Sequence, residues 1–399
     1  MTTNQHAVKQ IQALTGLRIL LALWVVTRHL FHAFEGGPFF DLGISVPLFD
    51  KGYLGVDGFF ILSGFILAYN YTNGRAFNYR DFISARFARV YPVHFVCLLA
   101  AAAVILFKEH HLHKHIIGTN QNTWTGFVEN LFLVNSWSLK TITGWNDVAW
   151  SVSAEWFAYV FFPLFVLLAP SRNRAFALIA LLLPIFALLL TEWNAADHLS
   201  LPGGLSRLVP EFYAGVLLCR IRRMSAFADL PIYSGIVAVV LVLAGVFVDS
   251  DSLCVVALGL LVFSLSSQTD ALSRPLGVAW IVYLGEVSYC MYMVQRFPLE
   301  GLSFARKSIP AVGALPMPVQ MVLFFGALLA CAMALHHIVE NPVRRWLNQR
   351  LKSRGSRNVV GEAARPAPLF RTVAAGDAER GLAEESRDPP DTSSRAEAR

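Results

Sequence analysis

Charge is scarce in this chain. Asp, Glu, Lys and Arg together make up 15% of its 399 residues, against about 25% in a soluble domain. A chain of this length would divide into two or three soluble domains, but it has too few charges to clothe their surfaces. A water-soluble globular enzyme is therefore excluded. Cysteine is sparse too. Cys97, Cys219, Cys254, Cys290 and Cys331 each lie in or beside an apolar block and form no CxxC pair, so neither a disulfide framework nor a zinc site is indicated. The opening MTTNQHAVKQIQALTGLR lacks the basic n-region, short apolar run and small-residue cleavage site of a signal peptide. No internal repeat is visible. The net charge is +6, yet no basic, aromatic-bearing soluble module that would read nucleic acid is present.

Apolar mass in long blocks is what the chain has instead: 55% of residues are hydrophobic and 30 are Phe. Crossing the hydrocarbon core takes about 20 mostly apolar residues. About ten segments qualify, near 12–34, 53–71, 87–107, 148–169, 174–191, 205–219, 231–249, 253–267, 277–298 and 317–339. The sixth and eighth are short, and the sixth holds Pro210 and Glu211, which suits a kinked or re-entrant segment. With the N-terminus inside, the loops carry seventeen Lys and Arg on the cytoplasmic side and seven on the other, the bias that sets orientation. The expected fold is an all-α integral membrane protein, a bundle of about ten transmembrane helices over residues 1–347 with both termini cytoplasmic. Residues 348–399, rich in Ala, Arg, Glu, Pro and Ser, read as a disordered cytoplasmic tail.

Ionisable groups inside a span are costly and mark function. The first span contains Arg18 and His29. Eleven residues at about 100° each return to within about 20° of the same face, so the two share one stripe, roughly 16 Å apart along the axis. Snorkelling or capping explains the same pattern, but histidine titrates near neutral pH. Arg86 and Arg89 open the third span as RFAR. Their i, i+3 spacing puts both guanidinia on one face, a fork that suits phosphate and equally an ordinary positive-inside anchor. In the second span, Gly55, Gly58 and Gly64 permit close helix approach. Asp57 and Ser63 stand about 120° apart there and do not form a dyad. Glu155, a turn or two inside the fourth span, wants a cation or a donor, and a pair with His29 is geometrically open. Glu286, Tyr289, Tyr292 and Gln295 line one stripe of a late span, and His336, His337 and Glu340-Asn341-Pro342 follow the last. The histidines of KEHHLHKHIIG read as a wet interfacial loop rather than a metal site.

These strings resemble the membrane acyltransferase-3 family. TGLRILLALWVVTRH matches its Arg, ten residues, His signature. GYLGVDGFFILSGF, RFARVYPVH, NLFLVNSW, AWSVSAEWFAYVFFP, RLVPEFYAGVLL, LGEVSYCMYMVQRFP and VENPVRRW then follow in family order across residues 12–347. The resemblance implies a stand-alone O-acyltransferase of the bacterial inner membrane with no soluble SGNH-type hydrolase domain. Its donor would be cytoplasmic acyl-CoA, usually acetyl-CoA, with no metal. Its acceptor would be a hydroxyl of an extracytoplasmic glycan or lipid-linked saccharide, in the company of polysaccharide-assembly proteins. His29 then becomes the catalytic base with Glu155 and Arg18 beside it. Arg86 and Arg89 become the donor-binding pair, Ser63 and Phe65 lie in the SGF motif, and Ser63, Tyr289 and Gln295 are substrate or donor contacts. Gln295 departs from the pattern, since the family often has His there. The expected chemistry is proton removal by His29, oriented by Glu155, with the arginine pair on CoA phosphates. Ser63 is the candidate for an acyl-enzyme relay, without a base on its own helix face. A transporter or flippase is the rival, but it calls for an inverted repeat. An intramembrane serine protease calls for a GxSG string, where this chain has Ile61-Leu62-Ser63-Gly64.

Overall fold

Every one of the expected apolar segments is helical. The computed structural model describes residues 11–33, 45–74, 77–111, 113, 115–119, 122–138, 144–170, 173–194, 204–224, 231–347 and 349–350, and among these there is no strand. The expected tail at 348–399 falls, apart from 349–350, outside the described residues. The helices are α1 (Gln12–Ala33), α2 (Ser45–Asp50), α3 (Leu54–Tyr71), α4 (Tyr79–His111), α5 (Trp124–Leu131), α6 (Trp150–Val160), α7 (Phe162–Leu168), α8 (Arg174–Asn194), α9 (Gly204–Arg222), α10 (Ser234–Phe247), α11 (Asp251–Leu265), α12 (Ser273–Leu276), α13 (Ala279–Val294), α14 (Arg296–Ser308), α15 (Pro310–Gly313) and α16 (Met317–Leu335).

Four helical stretches are long and apolar enough to cross a membrane: Gln12–Ala33, Pro47–Tyr71, Tyr79–His111 and Met317–Leu347. A fifth results if α6 and α7 count as one span broken by a 62° bend, where Phe161 ends one helix and Pro163 opens the next. Ala175–Leu190, Ser234–Phe247, Asp251–Leu265 and Ala279–Val294 are apolar but shorter, below the roughly 20 residues that a straight crossing takes. Helix α9 has the length, but Arg207, Glu211, Arg220 and Arg222 make it too charged. It runs unbroken through Pro210 rather than turning back. In the other direction, α4 has 33 residues, about 50 Å of helix, and overshoots a hydrocarbon core of about 30 Å.

Glycine sets how closely the central helices cross. A Cβ on Gly64 would stand 2.1 Å from the Phe212 carbonyl oxygen, and one on Gly215 would stand 2.1 Å from that of Ile61. Helices α3 and α9 therefore touch backbone to backbone from both sides. A Cβ on Gly285 would fall 1.9 Å from the Thr15 oxygen, so α13 lies equally tight on α1. Small residues at such crossings let dispersion act between backbones where lipid supplies no hydrophobic drive. Gly64→Ala should force α3 from α9 and cost on the order of 1–3 kcal/mol. A thermal unfolding curve in detergent micelles measures it, and an unchanged midpoint would mean that the crossing is not tight.

Candidate functional site

Helix α1 carries the site at both ends. Near its C-terminus, His29 Nδ1 lies 2.9 Å from Gln295 Oε1, at the junction of α13 and α14. Gln295 is buried, and its Nε2 donates to the Tyr292 carbonyl at 3.0 Å. A carbonyl only accepts, so the amide is fixed with its oxygen toward His29. An amide oxygen also only accepts, so Nδ1 must carry the imidazole proton. The lone pair of Nε2 is then available to a substrate. The pairing of His29 with Glu155 expected from the sequence does not form, and Gln295 orients the ring instead.

Glu155 is engaged elsewhere. Its Oε1 accepts the Ser63 hydroxyl proton at 2.5 Å, and Tyr159, one turn on, also hydrogen-bonds to it. It supplies an opposite charge to Arg18. The base that Ser63 lacks on its own helix is brought by α6 from across the bundle. Phe65 of the same SGF string is fully buried and stacks on Tyr69, so it is packing.

At the Arg18 end, the two arginines of RFAR are not equivalent. Arg89 forms an ion pair with Glu340, which is fully buried, and lies over the Tyr289 ring at 5.5 Å. Arg86 lies over Tyr71 and Tyr159 at 5.8 and 6.0 Å, and its buried Nε has no hydrogen-bond partner. A symmetrical fork is therefore not preformed. Arg89 is committed within the protein, while Arg86 has a donor to offer. Tyr289, expected at the donor, spends its hydroxyl on the Val90 carbonyl at 2.6 Å and so supports the ring beneath Arg89. Arg18, Arg89 and Arg344 bear on one another as like charges, with Glu155 and Glu286 opposing them at Arg18.

Glu340 closes a π-helical turn, His336–Glu340. Its Oε2 accepts from Cys290 Sγ at 3.2 Å and meets His336 Nδ1 at 2.9 Å. Cys290, His336 and Glu340 lie close enough to share an ion, but Glu340 Oε1 also pairs with Arg89 and Arg344, and two guanidinia there oppose a divalent cation. No sequence pattern marks Glu340 as Arg89's partner, because the extra residue of the π-turn shifts its face. Among the described residues, the His-rich loop brings no three ligands together. Sequence reasoning also missed Arg207. It donates from Nε to Asp57 Oδ1 at 2.9 Å with both residues buried, beside fully buried Glu211 and 5.4 Å from the Trp150 ring. The sequence reading marks Asp57 in the second span and Pro210 and Glu211 in the sixth, but not the arginine one turn before Glu211 that pairs with Asp57.

Comparison with known proteins shows the family. Residues 11–337 match the sequence profile of an acyltransferase domain, the acyltransferase-3 family. The chain is 28% identical to an acyltransferase, MdmB, of Streptomyces mycarofaciens, over 86% of this chain and 94% of that protein. It is 27% identical to a putative peptidoglycan O-acetyltransferase, YrhL, of Bacillus subtilis, over 47% of this chain and 29% of that one. It is 23% identical to the peptidoglycan O-acetyltransferase OatA of Listeria monocytogenes, over 41% of this chain and 25% of that one. No solved structure matches. With the profile covering Arg18, His29, Ser63, Arg86, Arg89, Glu155 and Gln295 in one continuous stretch, the chain belongs to the acyltransferase-3 family and is an acyltransferase.

Proposed function

We propose that this chain is an integral O-acyltransferase of the bacterial inner membrane. It moves an acetyl or other acyl group from cytoplasmic acyl-CoA to a hydroxyl of an extracytoplasmic glycan or lipid-linked saccharide. The observation that carries the reading is the tautomer that Gln295 imposes on His29: an imidazole with its Nε2 lone pair available, on the same helix as an arginine-rich end that suits phosphates.

The reaction balances with these groups alone. His29 Nε2 takes the acceptor's hydroxyl proton as the oxygen attacks the thioester carbonyl. The tetrahedral oxyanion forms at the His29 end and calls for N–H donors or positive charge there; Arg18, roughly 16 Å away along α1, lies on the donor's path instead. The C–S bond then breaks, CoA leaves as thiolate and the acyl–oxygen ester remains. Arg86 holds a CoA phosphate, and Arg89 is a positioning residue locked to Glu340. Ser63, hydrogen-bonded to Glu155, serves the donor path. A stepwise route through a Ser63 ester would place its proton on Glu155. Ten crossings with both ends inside remain the proposed topology, the shorter helices crossing where neighbours thin or shield the bilayer. Residues 348–399 are the proposed cytoplasmic tail. No observation favours the transporter alternative.

The two arginines separate by experiment. Arg86→Ala should raise the KM for acetyl-CoA about tenfold, as loss of a charged hydrogen bond does, and the wild-type KM should climb with salt. Arg89→Ala should lower the yield of folded protein instead, since it removes one of the two guanidinia that pair with a fully buried carboxylate. Equal donor KM values in Arg86→Ala and wild type would remove Arg86 from the donor site. Deletion in the native host followed by NMR of surface and secreted glycans tests the function as a whole. Undiminished O-acyl signals would contradict it.

A further inference from the structure

A cavity of about 250 Å³ lies beside the His29 end of the bundle, lined by α4, α14 and the segment that leads into α6. Its polar wall is a ladder of alternating charge. Lys108 donates to Glu300 at 2.6 Å, Arg296 donates to Glu300 at 2.8 Å, and Arg296 also pairs with Asp147. Two cations and two carboxylates leave the cavity with no net charge. Burial alone would raise the pKa of Glu300, but hydrogen bonds from Arg296 and Lys108 outweigh it and hold the carboxyl below its ordinary value, so the ladder stays ionised near neutral pH. Val104, Ile105, Ile116 and Phe297 form the apolar wall, and Trp145 is packed behind it against Trp124 and Phe127. Trp145 stands at φ +52°, a left-handed conformation that an aromatic residue rarely adopts. It is held there by its backbone N–H on Asn122 Oδ1 at 2.7 Å and its indole N–H on the Thr123 carbonyl at 2.8 Å. Such outliers cluster where a ligand is gripped.

The cavity adjoins the proposed base. Arg296 follows directly on Gln295, the residue that fixes His29, and Asp147 lies within electrostatic range of His29. We infer that this cavity binds the acceptor as a single uncharged pyranose, whose hydroxyls bond the Lys108–Glu300–Arg296–Asp147 ladder. The inference rests on the acyltransferase reading and deepens it by naming the acceptor class. The volume falls below the roughly 300 Å³ floor of drug-sized pockets, which suits one ring rather than an oligosaccharide. Balanced charge suits a neutral polyol, which uses donors and acceptors alike. A nucleotide diphosphate calls for a net positive charge, which this balanced ladder lacks.

The test uses the full-length protein in lipid nanodiscs, with methyl glucoside, mannoside and galactoside as neutral probes and methyl glucuronide as the anionic one. Tryptophan fluorescence reads binding, and labelled acetyl-CoA reads turnover. Neutral glycosides should bind the wild type at least about tenfold more tightly than the glucuronide. Glu300→Gln, which leaves the cavity net positive, should narrow or invert that preference and raise the KM for neutral glycosides, with the KM for acetyl-CoA unchanged. Lys108→Met should widen it. Equal affinity for neutral and anionic probes, or unchanged preferences in both variants, would overturn the assignment. A wild type that binds the neutral glycosides selectively yet never consumes acetyl-CoA would support the cavity and overturn the donor reading, so the two failures are distinct.

Discussion

Alanine in place of His29 lowers acyl transfer by about 10²–10⁴-fold, the span that a general base contributes, and leaves acetyl-CoA binding in place. The loss is large because Nε2 has no substitute at that position. Gln295 Oε1, the neighbouring polar atom, is an amide oxygen and is far too weak a base to take an alcohol's proton. Gln295→Ala should fall between the two. The imidazole remains, but nothing fixes Nδ1 as the protonated nitrogen, so the reactive tautomer is populated only in part. Gln295→Glu tests the same logic from the other side. A carboxylate opposite Nδ1 keeps the tautomer and strengthens the base, so it should retain activity with a shifted pH profile. Labelled acetyl transfer to a soluble glycoside, normalised to folded protein, measures all three. Wild-type rates in His29→Ala would remove His29 from the chemistry.

Arg207→Met carries the largest expected effect on stability. It leaves Asp57 and Glu211, both fully buried, without the guanidinium that Asp57 accepts from. Breaking one side of a buried ion pair costs about 3–5 kcal/mol, enough to strip a marginally stable protein of most of its folded population. The reason is desolvation rather than lost attraction. A carboxylate held among α3, α6 and α9 cannot reach water to recover its hydration. The double variant Arg207→Met with Asp57→Leu should therefore recover part of the loss, since it removes one stranded charge. Fluorescence-detected size-exclusion profiles and thermal unfolding midpoints in detergent read this directly. An Arg207→Met protein as stable as wild type would show that the ion pair is not what holds α3 to α9.

The helices were legible in the sequence because apolar run length is a one-dimensional property, and each of the ten segments is helical. What length and apolarity alone supported shrank to four spans or five, because charge in α9 and the shortness of the apolar stretches in α8, α10, α11 and α13 break the simple hydropathy criterion. The placing of Arg18 and His29 at opposite ends of α1 was legible as well, since both lie on one helix whose geometry is fixed. Partners across helices were not. Glu155 was paired on paper with His29 from its depth alone, but the bend at Phe161 and the glycine-tight α3–α9 crossing bring it to Ser63. Gln295 showed only as a departure from a family pattern, and its role as orienter needs the Tyr292 carbonyl that fixes its amide. Glu340 depends on one extra residue in a π-turn, which no periodicity argument contains.

The central claim is a base at one face of the membrane that serves a donor held at the other. Sealed inside-out membrane vesicles, with a methyl hexoside trapped in the lumen and labelled acetyl-CoA added outside, test it most directly. The account predicts acetylated glycoside in the lumen, formed by wild type and not by His29→Ala. Product that forms only when donor and acceptor share one side of the membrane, or forms equally in the His29 variant, would contradict it.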